Sequence, residues 1–278
     1  MKFKVFVHPA RPKIQKEKIL NILRSLNLQI SETSPDMALV IGGDGTFTYY
    51  GRKLSIPMLF IGVPSNEILG SKSRLAKISL QNLPKSLRSI EKGNYAITKR
   101  KMLEVKYDKS PAVNVLTDIY LERGLFAGCI RYSISVVKKN KNMENGEPKR
   151  TVFTDYAIGN GVIISTSFGS GGYYSYIDRI LNPNKKSYEL FDDTKVGICH
   201  ILPTFIARYK GNNVDHRQLL SSIRYVVPID SIIDIVSVRD ANTRLYGATI
   251  HSKGIEVKWN KSINITASAK TASIVHLT

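Results

Sequence analysis

Met37-Ala38-Leu39-Val40-Ile41-Gly42-Gly43-Asp44-Gly45-Thr46 is a run of five apolar residues that passes directly into three glycines among four positions. An uninterrupted apolar run of this length reads as a strand buried on both faces, as in a parallel sheet covered by helices. Glycines after such a strand permit positive φ and let backbone N–H groups approach an oxyanion with no Cβ in the way, and Thr46 adds a hydroxyl donor. The loop suits phosphate. It is not a Walker loop, because no Gly-Lys-Ser/Thr follows, and it is not Gly-x-Gly-x-x-Gly. Asp44 places an anion where anions should bind, which makes chemical sense if the carboxylate holds Mg²⁺ or takes a proton from an attacking hydroxyl. The alternative is a glycine-rich turn in which Asp44 caps a following helix.

Around this stretch, Lys2 to His8 reads as a strand, and Ile19, Ile22, Leu23 and Leu26 recur at helical spacing. Ile56 to Val63 reads as a further strand after a loop, and Leu83, Leu87 and Ile90 mark a short helix ended by Gly93. Strand, helix, strand, loop, strand predicts a parallel α/β sheet. From about Thr98 the period becomes two: Met102 to Tyr107, Val115 to Leu121, Ile130 to Val137, Val152 to Ile158 and Val162 to Thr166 read as strands. Lys138 to Arg150 reads as an exposed hairpin tip. Strands resume at Ile223 to Val227, Ile232 to Val236, Arg244 to Ile250, Ile255 to Trp259 and Ile263 to Ala267, so the second part is expected to be a β-sandwich. The expected division is an α/β phosphate-binding domain over 1–97 and a β-sandwich domain over 98–278.

The 278 residues are 42% hydrophobic and 23% charged, which excludes disorder and collagen-like repeats. Apolar runs fall short of the ~18 residues of a membrane span, and Met1 to Lys13 lacks a secretory signal, so a cytoplasmic protein without a membrane partner is expected. Cys129 and Cys199 have neither disulfide-framework nor metal-ligand spacing and read as core thiols. The net charge of +19 attracts nucleic acid, anionic membrane or phosphorylated small molecules. The basic residues are dispersed and carry no RRM, KH or helix-turn-helix signature, which argues against nucleic acid. His8, His200, His216, His251 and His276 lie far apart, and neither a serine nucleophile elbow nor a metal-binding His cluster is visible.

A second glycine-rich stretch, Gly159-Asn160-Gly161-Val162-Ile163-Ile164-Ser165-Thr166-Ser167-Phe168-Gly169-Ser170-Gly171-Gly172-Tyr173, reads by itself as a strand between tight turns. In this order the two stretches resemble the NAD kinase family, which carries GGDGT in its N-terminal α/β domain and a segment like GDGVIVSTPTGSTAY in its β domain. Arg100-Lys101-Met102-Leu103-Glu104 looks like the family's domain-crossing strand, and Ile198-Cys199-His200-Ile201-Leu202-Pro203 is similar to its ICPH-L segment. Diacylglycerol and sphingosine kinases share GGDGT but continue it with Asn-Glu, whereas Phe47-Thr48-Tyr49-Tyr50 follows here.

The resemblance implies phosphoryl transfer from ATP or polyphosphate, with Mg²⁺ or another divalent cation, to the adenosine ribose 2′-hydroxyl of NAD, giving NADP. It implies Asp44 as catalytic base, Gly42, Gly43, Gly45 and Thr46 as phosphate loop, and Thr117, Asp118, Asn160, Ser165, Thr166, Ser170 and Tyr173 as the NAD-binding set. It also implies ligands meeting between the two domains, a last strand Ala272 to Leu277 returning to the first domain, and a homodimer or homotetramer. Several family letters differ. GDG is Gly159-Asn160-Gly161, Pro-Thr is Ser167-Phe168, Thr-Ala is Gly171-Gly172, Asn-Glu is Thr117-Asp118, and the late Asp-Gly is Tyr246-Gly247; G-x-N-x-G after the third strand is absent. The reading that fits is a divergent NAD kinase. The alternatives are a related kinase with another nucleotide or lipid acceptor, or a non-catalytic nucleotide- or nucleic-acid-binding protein.

Salt separates the last alternative. A duplex-DNA binder making about six phosphate contacts loses orders of magnitude in affinity between low and physiological salt, with a log–log slope near −0.9 per contact, yet stays bound if specific. Filter binding or fluorescence anisotropy is expected to show only weak, sequence-independent association that disappears at physiological ionic strength.

Overall fold

A computed structural model describes residues 1–7, 14–63, 73–125, 128–138, 150–177, 189–210, 213–215, 223–239, 242–247 and 254–278. The chain divides into two compact units, Met1–Arg100 with Thr271–Thr278, and Lys101–Lys270.

The first unit contains β1 (Lys2–Val7), α1 (Ile14–Ser25), β2 (Gln29–Ile30), β3 (Met37–Gly42), α2 (Asp44–Gly51), β4 (Met58–Gly62), β5 (Ile78–Ser79), α3 (Leu83–Glu91) and the start of β6 (Tyr95–Tyr107). β2, β1, β3 and β4 pair in parallel, and β5 continues beside β4. Every residue of β3 and β4 is buried, which is why both read as unbroken apolar runs. Ile19 and Leu23 of α1 and Leu83, Leu87 and Ile90 of α3 pack with Leu39, Ile41, Leu59 and Ile61 in one core cluster. Phe47 of α2 stacks on Phe60 of β4, with ring centroids 4.5 Å apart and planes 5° apart. The sequence reading expected a loop where α2 stands. Its segment, Asp-Gly-Thr-Phe-Thr-Tyr-Tyr-Gly, has glycine, β-branched and aromatic residues and no polar stripe, so burial of Thr46 and Phe47 supplies what propensity does not.

The second unit continues with β7 (Val113–Val115), β8 (Asp118–Arg123), β9 (Ile130–Lys138), β10 (Arg150–Gly159), β11 (Gly161–Thr166), the one-turn helix α4 (Tyr173–Tyr176), β12 (Lys195–Ile201), β13 (Phe205–Lys210), β14 (Asn213–Asp215), β15 (Arg224–Pro228), β16 (Ile232–Ser237), β17 (Thr243–Tyr246), β18 (Ile255–Val257) and β19 (Ser262–Leu277). β14-β13-β10-β9-β16-β19 form one antiparallel layer and β15-β12-β11-β8-β17-β18 another. Their apolar residues make a single core cluster, the expected β-sandwich. The final residues of β19 belong to the first unit, where Ile274 pairs with Met58 in parallel.

Three differences from the sequence reading are informative. Val115 to Leu121 is not one strand: β7 pairs with β6, β8 pairs with β11 and β17, and buried Leu116 and Thr117 make the step between sheets. The Thr117 carbonyl there accepts the Thr166 N–H at 2.8 Å. β12 and β13 were not foreseen as strands, because Gly197, His200 and Arg208 interrupt the apolar alternation. Cys199 is buried as expected, but Cys129 is exposed, so only one cysteine is a core thiol. Of the expected Lys138 to Arg150 tip, the two end residues pair with each other as the ends of β9 and β10, while 139–149, the ends of two expected strands at His8 and 248–250, and His216 and His251 lie outside the described residues.

A polar chain crosses the sandwich core. Tyr132 of β9 donates its hydroxyl to the Gly161 carbonyl at 2.6 Å and lies 2.7 Å from His200 Nδ1. His200 Nε2 lies 3.2 Å from Asp155 Oδ2, and because a carboxylate only accepts, the ring carries a hydrogen there. Arg208, directly across from Asp155 on β13, donates both Nε–H and Nη2–H to that carboxylate at 2.7 Å. Its guanidinium lies over the rings of Phe153 and Tyr225. Tyr132 and Asp155 belong to one layer and Gly161 and His200 to the other, so the chain bolts the layers in one register. Burial alone would raise the Asp155 pKa, but hydrogen bonds from Arg208 and His200, with their charge, outweigh it and hold the carboxyl below its usual range.

Removing one partner of a buried, hydrogen-bonded ion pair costs about 3–5 kcal/mol. Asp155→Ala is therefore expected to lower the melting temperature by roughly 6–20 °C, at about 2–4 °C per kcal/mol. With a depressed folded-state pKa, the Asp155 contribution is complete above the unfolded value of 3.8 and fades as pH falls through the folded value. Acid titration should unfold the wild type below pH ~4, and the gap in stability between wild type and Asp155→Ala should close there.

Candidate functional site

In the first unit the strand-to-helix turn is set by Gly42. Its φ is +154°, and a β carbon there would lie 2.5 Å from Thr46 Oγ1 and 2.7 Å from Thr46 Cβ. Thr46, only 3% exposed, thus folds back onto the strand end, and α2 starts at once. Gly43 is the N-cap in extended conformation, with no side-chain capping bond, so Asp44 is the first helical residue and not the cap. The Thr46 and Phe47 N–H groups bond to the Gly43 carbonyl at 2.9 and 3.3 Å. Among the described residues, a β carbon on exposed Gly45 would meet nothing within 4 Å, so they leave this side of the turn open. The first N–H groups of a helix and its dipole favour an anion there.

Asp44 is half-buried, and its Oδ1 accepts the Leu75 N–H at 3.0 Å. Ser73 Oγ lies 3.3 Å from the Gly42 carbonyl and 3.2 Å from the Val63 carbonyl. A β carbon on Gly62 would come within 2.9 Å of Ser73 Cβ, so residues 73–76 press against the ends of β3 and β4. The arrangement is a carboxylate oriented by a backbone amide at the open start of a helix. Sequence reading did not foresee Ser73 and Leu75 as partners of the turn, and at 31 positions from Gly42 and Asp44 no local pattern could mark them.

In the second unit, Thr117, Asp118, Ser165, Thr166 and Ser170 come together where β8 and β11 meet, with Asp118 directly across from Ser165. Thr166 Oγ1 lies 2.7 Å from the Leu116 carbonyl and 3.0 Å from that of Thr117, and accepts the Gly169 N–H at 3.2 Å. A β carbon on Gly169 would run into the Thr117 backbone at 2.5 Å, so glycine allows this approach. Ser170 Oγ donates to the Ser167 carbonyl at 2.8 Å and accepts the Leu190 N–H at 2.7 Å. The Ser165, Thr166 and Ser170 hydroxyls, all buried, thus bond within the turn and its supports. Asn160 does not join them. It precedes β11 while Thr166 ends it, about 20 Å away at strand rise.

Tyr173 begins α4 and is 40% exposed. Its hydroxyl donates to Glu122 Oε1 at 2.5 Å, and its ring meets Tyr120 edge-on at 5.4 Å. Tyr120 stacks in turn on Tyr246 at 5.4 Å. Burial first, then the hydrogen bond to Glu122 and its charge, push the Tyr173 pKa well up; burial, then Asp118 and Glu122, push Tyr120 up to about 12. These phenols are neutral at physiological pH. Among the described residues no group of three or more His, Cys, Asp or Glu converges on a common point, and no helix is long and apolar enough to cross a membrane.

No family model matches the chain. The NAD kinase of Sulfurisphaera tokodaii is 30% identical over 182 residues, 65% of this chain and 64% of that protein. The NAD kinase of Clostridium kluyveri is 27% identical over 173 residues, 56% of this chain and 54% of that protein. The chain thus spans about half to two thirds of the length of these curated relatives. At 24% identity, the match to the NAD kinase of Clostridium botulinum covers 94% of this chain and 83% of that protein. The fold is that of yeast NADH kinase complexed with NADH, with a TM-score of 0.69 at 15% identity over 100% of this chain and 83% of that one. The NAD kinase from Archaeoglobus fulgidus in complex with ATP gives 0.61 at 17% identity, over 100% and 94%. An α/β unit with a glycine-rich strand-to-helix turn, joined to a β-sandwich, defines the class. Within it the chain is similar in sequence to curated NAD kinases and shares the fold of the NADH and NAD kinase structures.

The two glycines of the turn should respond differently to a methyl group. Gly42→Ala forces Thr46 away and is expected to cost about 1–3 kcal/mol, as overpacking does, whereas Gly45→Ala should stay within about 0.5 kcal/mol of wild type. Urea denaturation monitored by circular dichroism measures both.

Proposed function

We propose that this chain is an NAD kinase, transferring the terminal phosphoryl group of ATP, or of polyphosphate, to the adenosine ribose 2′-hydroxyl of NAD to form NADP. One observation carries the reading: the carboxylate at the position matching the family's catalytic aspartate is oriented by the Leu75 amide at the open start of α2. The names of the relatives and the ATP complex of the archaeal neighbour support the choice of ligands. In this reading the new O–P bond forms at the 2′-oxygen, the bond from the γ-phosphorus to the bridging oxygen breaks to leave ADP, and Asp44 takes the hydroxyl proton. Gly42, Gly43, Gly45 and Thr46 position the donor phosphates, since phosphoryl transfer asks mainly for positioning and charge stabilisation.

A divalent cation such as Mg²⁺ would neutralise charge on those phosphates. Such a cation is commonly held by one or two carboxylates together with substrate phosphates, and Asp44 is a carboxylate of that kind at the turn. In the second unit, Asp118 and Tyr173 contact the dinucleotide, while Thr117, Ser165, Thr166 and Ser170 shape the turn that presents them. The enzyme acts in the cytoplasm as a homodimer or homotetramer.

Asp44→Asn should lower kcat by roughly 10²- to 10⁴-fold, the typical contribution of a general base, with little change in melting temperature. NAD at ~100 times its dissociation constant should stabilise the wild type by ~2.7 kcal/mol, a shift of several degrees in a thermal melt. Undiminished turnover by Asp44→Asn removes Asp44 from the mechanism. A melt unmoved by millimolar NAD but raised by another hydroxylated nucleotide would reassign the acceptor.

A further inference from the structure

On the outer face of the second layer, β8 presents Asp118, Tyr120 and Glu122 by strand alternation, while Ile119 and Leu121 enter the core. Tyr246 of β17 lies directly across from Tyr120, and Arg244 directly across from Glu122. Tyr173 reaches this face from α4 and is held at two points, by its hydroxyl on Glu122 and by its ring edge on Tyr120. Tyr120 is itself backed by Tyr246. The three rings and Glu122 therefore form one connected assembly, with part of Tyr173 facing outward. A tyrosine hydroxyl bonded to a carboxylate is a charge-assisted contact, stronger than a neutral one, and it fixes a ring that a one-turn helix would hold weakly.

We propose that Glu122 is a positioning and specificity-determining residue: by gripping the Tyr173 hydroxyl it holds that ring, backed by Tyr120 and Tyr246, as a preorganised wall for a flat heteroaromatic base of the acceptor. This rests on the NAD kinase reading. A fixed ring offers stacking area without the entropy cost of ordering it on binding. The wall lies in the sandwich unit, whereas the donor phosphates are assigned to the turn at Gly42 to Thr46. Disturbing it should thus weaken the acceptor and spare the donor.

Steady-state kinetics with NAD and ATP varied separately, on wild type, Glu122→Ala, Glu122→Gln, Tyr173→Phe and the Glu122→Ala/Tyr173→Phe double variant, test this. Glu122→Ala and Tyr173→Phe should each raise the KM for NAD by ~5- to 30-fold, the range of one charge-assisted hydrogen bond and an ordered ring, with the KM for ATP and kcat within about twofold. Glu122→Gln keeps an acceptor oxygen and should recover most of the loss. The double variant should be no worse than the poorer single one, because both substitutions break the same bond. Should Glu122→Ala fail to fold, Tyr173→Phe against Glu122→Gln makes the same comparison. An active wild type whose NAD KM is unmoved by these changes, or whose double variant shows multiplied effects, overturns the inference alone. A wild type that neither forms NADP nor is stabilised by NAD overturns the functional reading and this inference with it.

Discussion

A β carbon at position 42 would collide with the Thr46 hydroxyl, and the chemical character of the α/β unit follows from its absence. With glycine there, Thr46 closes onto the end of β3 and the helix begins two residues later, so its first N–H groups and the Asp44 carboxylate share one open corner. Phe47 then stacks on Phe60 and ties the helix to the sheet. Tyr50 extends the tie by donating its hydroxyl to the Val7 carbonyl at 2.6 Å. The neighbouring segment at 73–76 completes the corner by supplying the amide that orients Asp44. A residue of small intrinsic helix propensity thereby starts a helix, because tertiary contacts replace what local preference lacks.

The sandwich solves a different problem. Its core is apolar at nearly every inward position, which drives association of the layers but specifies their register weakly. The chain from Tyr132 through His200 and Asp155 to Arg208 can be satisfied in only one alignment of the layers, since each group depends on its neighbour for a partner. It also fixes Gly161, at the head of the strand whose other end carries Ser165 and Thr166. The buried polar chain and the turn at Thr117 are thus linked by a single straight strand.

The sequence made the local features legible and left the non-local ones hidden. β3, α1 and the alternating strands of the sandwich declare themselves by periodicity, and the glycines after Ile41 by the backbone freedom they require. α2 escaped because its residues are poor helix formers held by burial. The sheet switch at Leu116 and Thr117 escaped because both residues are buried and resemble a continuing strand. His200 was legible only through a family resemblance, and its partner Asp155 not at all, since 45 positions separate them and nothing in the Thr-Asp-Tyr context signals a buried carboxylate. Of the candidate NAD-binding residues, Asp118 and Tyr173 stand on the outer face with Tyr120 and Glu122. Ser165, Thr166 and Ser170 build the turn beside them, and Asn160 lies at the far end of β11.

The most direct measurement is product identification: the pure protein incubated with NAD, ATP and Mg²⁺, with the nucleotides separated and the position of the new phosphate assigned by ³¹P NMR. Formation of NADP with its phosphate on the adenosine ribose 2′-oxygen, matched mole for mole by ADP, is the predicted result. ATP consumed without NADP, or a phosphate placed on another hydroxyl, would contradict the account.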